Sequence, residues 1–220
     1  MSQAEVTGES DSTWRRSRAL IERATGLERI IYTSIGRALV HRPAVAPGAK
    51  GFSFHRGATA VFVIFIALSA LELVIIDLII QGWLLIRIVF DVLDAWGLVW
   101  MIGLLCAHIM RPHTVGPDGI RMRDGFDLNI HAVWEDVYSV AVAKHKYEPK
   151  TPRVVTSDDA VTLAVSRGSE TNVEIVLERP TAVKLPGLSS KGGQHTVTRL
   201  RLWADDPRAF LTESGNYLRG

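Results

Sequence analysis

Residues 58–110 form one long apolar run, interrupted once, at Gln81-Gly82-Trp83. A run this long exceeds what the core of a small soluble domain absorbs. Each half matches the roughly 20 residues that cross a ~30 Å hydrocarbon layer at ~1.5 Å per residue. The sequence therefore predicts a first span over Ala58–Ile80 and a second over about Leu84–Ile109, ended by Arg111-Pro112-His113. Trp83, at the break, stands where an interfacial aromatic is expected. Residues 57–110 thus read as a two-span transmembrane hairpin with almost no external loop.

Basic residues orient it. Arg37, Arg42, Lys50 and Arg56 precede the first span, Arg111 follows the second, and the turn holds none. The positive-inside rule then places both termini in the cytoplasm, in a multi-pass protein of the inner (plasma) membrane. The whole-chain averages conceal this: 22% of the 220 residues are charged and the net charge is +2. A chain with two spans and a sizeable polar part is not by itself a multi-span channel or carrier. The opening MSQAEVTGESDS has no apolar core, unlike a secretory signal peptide. Cys106, the single cysteine, can form no intrachain disulfide, which fits a reducing compartment.

The hairpin carries charges that a bilayer rejects: Glu72, Asp77, Arg87, Asp91 and Asp94. Counting from a turn near Gly82, Asp77 and Arg87 each lie roughly 7–8 Å below it, Asp91 about 13 Å, Glu72 about 15 Å and Asp94 about 18 Å. Asp77 is therefore level with Arg87, and Glu72 with Asp91 and Asp94. Arg87, Asp91 and Asp94 share one helical stripe. A charge at a helix centre costs about 2.5–3.5 kcal/mol on insertion scales, so these residues need partners or a task. Two readings stand: a proton or cation path or a polar contact with another membrane protein, or a hairpin lock with self-association through the polar groups and the small residues Gly103 and Ala107.

Residues 1–13 are polar and predicted to be disordered. Residues 14–40 form a basic amphipathic helix. Trp14, Leu20, Ile21, Ala24, Leu27, Ile31, Ile35 and Ala38 recur at three- and four-residue spacing, with Arg15, Arg16 and Arg18 among the basic remainder. Its apolar face suits an anionic membrane surface, or the chain's own soluble domain. Residues 41–56, with two prolines and two glycines, read as a linker.

From residue 111 the period changes to two. About seven short antiparallel strands are predicted over 113–123 (bent or split at the turn), 126–131, 137–144, 153–156, 160–166, 171–178 and 195–203. A C-terminal helix follows, capped by Asp205 or Asp206 with Pro207 in its first turn. The fold class is a membrane α-helical hairpin joined to an all-β (α+β) domain closed by that helix.

Two segments carry a family likeness: TVGPDGIRMRDG (114–125) and NIHAVWEDVYSVAVAKHK (129–146). Asp118-Gly119-Ile120, Arg123, Gly125, Ile130, Trp134, Asp136-Val137 and Val140 fall where bacterial pleckstrin-homology-like domains have a "dGl..r.G" turn and an "i.W.dV..v" strand entry. Residues 110–214 resemble those domains, of the type attached to membrane hairpins in actinobacteria, and the hairpin placement extends the likeness to about residue 57. The resemblance implies a non-enzymatic binding domain. Pleckstrin-like folds bind lipid head groups, peptides or proteins, and the fold alone does not choose among them.

No residue pattern points to catalysis. Cys106, His108 and His113 match no closed zinc pattern, so no metal is expected, and His113 beside Arg111 reads as an interfacial residue. LPGLSSKGGQHT (185–196) lacks the order of a phosphate loop and reads as a hairpin loop, with Lys191 as a contact for an anionic head group. The run KHKYEPKTPR offers Lys144, Lys146, Lys150 and Arg153, either as a solvated loop or as a patch on anionic lipid, at about 1 kcal/mol per basic residue near the surface. No cofactor loop and no aromatic-interleaved basic stripe for nucleic acid is present. The expected function is membrane-attached binding or scaffolding, through self-assembly or with another membrane protein. The alternatives are an accessory subunit of an ion-coupled transporter, or a sensor of anionic lipid.

Overall fold

In this computed structural model, the structure describes Arg18, Ile21 and residues 24–125, 128–157, 160–186 and 192–218. The expected tail 1–13 lies outside the described residues. Helix α1 runs through residues 24–39. Strand β1 (Lys50–Phe52) follows, and then two long helices, α2 (Arg56–Ile79) and α3 (Leu84–Met110). At 24 and 27 residues they measure about 36 and 40 Å.

Both helices are long and apolar enough to cross a membrane. They pack against each other and leave most of their surface bare. No residue of α2 is buried, and only Gly103 and Ala107 of α3 are. Phe65, Leu68, Leu71, Leu78, Leu85 and Trp96 are all more than half exposed. A helix that is apolar on every side has no stable place in water.

The remaining strands are β2 (His113–Gly116), β3 (Gly119–Asp124), β4 (Leu128–Ala132), β5 (Val137–Lys146), β6 (Arg153–Ser157), β7 (Ala160–Val165), β8 (Glu170–Leu185) and β9 (Gly193–Leu202). They form two sheets, ordered β1-β2-β3-β4 and β5-β8-β9-β7-β6. The described residues therefore hold nine strands rather than about seven, and they are not all antiparallel. β7 and β9 run parallel, with Leu163 opposite Leu200. Alternation in a sequence marks a strand but not its direction. The segment 113–123 divides at Pro117-Asp118, because the two halves fold back on each other with Gly116 opposite Gly119. β8 continues past residue 178 because a register shift between Val176 and Thr181 carries the strand across Pro180.

The segment 41–56 is more than a linker. Its strand β1 pairs antiparallel with β2, setting Lys50 opposite Val115 and Phe52 opposite His113. The two helices are thus inserted between two hydrogen-bonded neighbours of one sheet. Ala44 N–H donates to Met110 O at 2.7 Å, and Asp205 N–H donates to Ser53 O at 2.8 Å. The first bond joins the end of α3 to the segment before β1, and the second ties the segment before α2 to the residues after β9.

The core lies between the sheets, where Val115, Ile120, Leu163, Ile175 and Leu200 are at most 1% exposed. Helix α4 (Pro207–Leu218) covers it. The Asp206 carboxylate caps α4 by accepting Ala209 N–H at 3.0 Å, with Pro207 in the first turn as the sequence predicts. Phe210 is fully buried and meets Phe52 edge-on at 5.0 Å. Trp134 stacks on Tyr217 at 5.4 Å and donates from Nε1 to Gly116 O at 2.8 Å.

The apolar face of α1 is used in a way that neither sequence reading foresaw. It packs on α3. Ile31 is fully buried and Ser34 nearly so. A Cβ added at Gly103 would stand 2.2 Å from Ile31 Cγ2 and 3.2 Å from Ile35 Cδ1. Gly103 is thus the notch that receives α1, about 10 Å from the end of α3. Gly103→Val should expel α1, an overpacking cost of about 1–3 kcal/mol. Limited proteolysis within residues 24–39 should accelerate, and Ile31→Ala in the same chain should slow it again. Unchanged cleavage in the single variant would refute the notch.

Candidate functional site

The polar residues of the helix pair separate into two groups. Near the turn, Arg87 grips Asp77 with both arms of its guanidinium. Nε donates to Oδ1, and Nη2 donates to Oδ2 at 3.0 Å. Equal distance from Gly82 puts the two side chains level, and the planar fork matches the carboxylate. Asp91 approaches the same guanidinium at 3.9 Å, one turn along α3. One cation therefore serves two carboxylates.

Glu72 and Asp94 form the second group. With Ser69, Gly97 and Met101 they line a groove of about 200 Å³ between the helices. Asp94 Oδ2 is shielded from solvent and has no hydrogen-bond partner, and the same holds for Trp100 Nε1 further along α3. Among the described residues no ion pair joins a cation to Glu72 or Asp94. Depth counting places Glu72 level with both Asp91 and Asp94. The structure brings it to Asp94, while Asp91 turns to Arg87.

A second polar assembly joins the helices to the β domain. His113, read from sequence as interfacial, is fully buried. Its Nδ1 accepts Arg123 N–H at 3.1 Å, and its Nε2 lies 3.2 Å from Trp203 O. One nitrogen must accept and the other donate, which fixes the neutral Nε2–H form. Phe54 stacks on this ring at 4.4 Å. Arg167 lies over the other aromatic partner, 4.7 Å from the Phe54 centroid. It reaches Asp124 at 2.6 Å and His108 Nε2, near the end of α3, at 3.1 Å. Burial raises the Asp124 carboxyl above its ordinary range, and Arg167 opposes that rise.

Burial holds His113 down to about 3 from the usual 6.5; Arg167 and Arg123 push the same way, against the Trp203 carbonyl. The unfolded chain therefore binds one more proton than the folded chain between these values. His113's contribution to stability is complete above pH 6.5 and falls toward pH 3, at up to about 1.4 kcal/mol per pH unit. Thermal unfolding between pH 7.5 and 4.5 should show the loss. His113→Gln should lower stability at pH 7.5 and flatten the slope, and an equal slope in the variant would exclude His113 as its source.

Arginines also gather at this end of the helices. Arg123 donates from Nη1 to Ala44 O at 2.5 Å. Its own pKa is lowered by burial and by the neighbouring charges of Arg111, Arg121 and Arg37, which come from three different elements. The basic run assigned to lipid contact lies nearby in part. Glu148 N–H donates to Ser169 O at 3.0 Å and Ser166 Oγ donates to Pro149 O, so the loop after β5 is bound to the β7–β8 turn that holds Arg167. Lys146, Lys150 and Arg153 are exposed there, and Tyr147 is 96% exposed. Lys144 is instead paired with Glu170 at 2.8 Å. Arg18 is helical and exposed. Arg15, Arg16 and Lys191 lie outside the described residues. Lys191 falls between β8 and β9, which pair antiparallel up to Leu185 and Gly193, so the segment joins a hairpin.

Sequence reading missed Phe54, Asp124 and Arg167, because residues so far apart share no local pattern. The signal it could have used is His108, a titratable ring at the end of an otherwise apolar helix. Compared with known proteins, the chain matches no family model, no curated protein and no solved structure.

Proposed function

We propose that α2 and α3 cross the cytoplasmic (plasma) membrane as a hairpin, with both termini and a pleckstrin-like β domain on the cytoplasmic side. The protein works by binding, without catalysis, as a scaffold that assembles with itself or with another membrane protein. The observation that carries this reading is the groove holding Glu72 and Asp94 on a helix pair that is otherwise bare. Carboxylates without a cation, at such depth, favour an outside partner that supplies a donor or a positive charge. Gly103, expected to serve self-association, is filled by Ile31 of α1, and Ala107 is buried within the chain, so the contact is assigned to the Glu72–Asp94 face.

Crosslinking in native membranes tests this. The wild-type chain should be recovered in a larger species, and Glu72→Gln with Asp94→Asn should reduce it. Recovery of monomer alone from wild-type membranes would overturn the reading. An accessory role in ion-coupled transport is the rival, favoured by the unpartnered Asp94 Oδ2. It gains support if the double variant assembles normally but changes proton leak. Contact with anionic lipid is a secondary part of the proposal, supported by the arginines around Arg123 and by exposed Lys146 and Lys150 beside the β7–β8 turn.

A further inference from the structure

A cavity of about 670 Å³ opens where α2 leaves the β domain. That volume is within the roughly 300–1,000 Å³ of small-molecule sites. Arg56, Gly57 and Ala58, the first turn of α2, form one wall. Phe54 and the Arg167-Gly168 turn form another, and Trp203 and Asp205 complete it. Sequence reading used Arg56 and Ala58 only to orient and bound the first helix and Asp205 only as a possible helix cap, and the Glu72–Asp94 groove is elsewhere on the helices.

The charges in the lining discriminate among ligands. Arg167 is already matched to Asp124, which leaves it a fixed wall over Phe54. The Arg56 guanidinium is exposed and has no ion pair among the described residues. The Asp205 carboxylate accepts Arg56 N–H at 3.3 Å and Trp203 Nε1–H at 3.4 Å, two long bonds that leave lone pairs toward the cavity. One available cation and one available carboxylate thus stand side by side. A purely anionic ligand would satisfy the first and be repelled by the second. A quaternary ammonium would meet a single tryptophan and no aromatic cage. A phosphate joined to a primary ammonium satisfies both: the phosphate on Arg56 and the ammonium on Asp205.

We propose that this cavity binds the head group of an aminophospholipid of the phosphatidylethanolamine class, with its acyl chains lying along α2. The inference rests on the reading that α2 spans a bilayer, which puts the cavity at head-group depth on the β-domain side. The lipid then bridges the helices and the β domain at the junction where His113, Phe54 and Arg167 already meet.

The test uses the full chain in nanodiscs, followed by native mass spectrometry of the lipid it retains. Discs contain phosphatidylglycerol alone or mixed equally with phosphatidylethanolamine or phosphatidylcholine. Wild-type protein should retain phosphatidylethanolamine over either competitor by about tenfold, the worth of one charge-assisted hydrogen bond. Arg56→Gln, at an exposed position, should remove the retained lipid. Asp205→Asn should abolish the preference for the amine while keeping phosphate-bearing lipid. No preference in the wild-type chain, or retention unaffected by Arg56→Gln, overturns the site. Displacement by free glycerophosphoethanolamine at equal concentration would refute a lipid and indicate a solute. Alkaline carbonate extraction of native membranes separates the two levels. A chain released by carbonate defeats the spanning reading and the site together, whereas a chain retained without lipid preference defeats the site alone.

Discussion

In a bilayer, Arg87→Leu should destabilise the helix pair by about 3–5 kcal/mol, the cost of leaving a buried ion without its partner. Asp77 would lose both donors of the guanidinium, and Asp91 would lose the one cation paired with it among the described residues. The loss exceeds what the pair contributes to stability, because the stranded carboxylates find no water. Asp77→Leu with Arg87→Leu should therefore recover much of it, with Asp91 alone newly unmatched. Arg87→Lys should fall between, since a point charge cannot reproduce the two-armed contact. Unfolding of the reconstituted protein in mixed micelles, read as a double-mutant cycle, supplies the numbers. Equal stability of the Arg87→Leu chain and the doubly substituted chain would show that Asp77 has no need of Arg87.

Gly119→Val should be the most damaging single substitution in the β domain. Gly119 has φ +128°, and a Cβ there would stand 2.2 Å from Ala132 O and 2.9 Å from Val133 Cα. Both obstacles are backbone, so no side chain can turn away, and a branched residue is strained at that φ as well. The loss should reach about 3 kcal/mol or more, since the turn closes β2 on β3 and Gly119 abuts the end of β4 at Ala132. Gly125 makes the control. It has φ +54°, but a Cβ there meets nothing within 4 Å. Gly125→Asn should cost well under half as much, because Asn tolerates that region. Denaturant titration followed by Trp134 fluorescence distinguishes them, and comparable losses at the two positions would contradict the crowding argument.

The apolar helices and their turn were legible because length and hydrophobicity are local properties, and depth counting then paired Asp77 with Arg87. The Asp206–Pro207 start of α4 was legible for the same reason. Three features were not. The parallel pairing of β7 with β9 depends on where a bulged β8 carries the chain. The burial of His113 depends on Phe54, Arg123 and Trp203, which are remote in sequence. The seat of α1 depends on one absent side chain, at Gly103, whose role as a notch shows only when Ile31 is beside it. The apolar stripe of α1 has Ile31 buried while Ile21 is 63% exposed, since an amphipathic pattern specifies a face and says nothing about what meets it.

The pairing of β1 with β2 sets a timetable for biosynthesis. β1 emerges from the ribosome ahead of both apolar helices, and the strand that completes it emerges after them. A translating chain must therefore commit α2 and α3 to their environment while β1 waits without a partner, and the first sheet can zip up only afterwards. If the helices span a membrane as proposed, their delivery to it precedes completion of the β domain, and a recombinant piece beginning at residue 111 would start life with β2 as a raw edge.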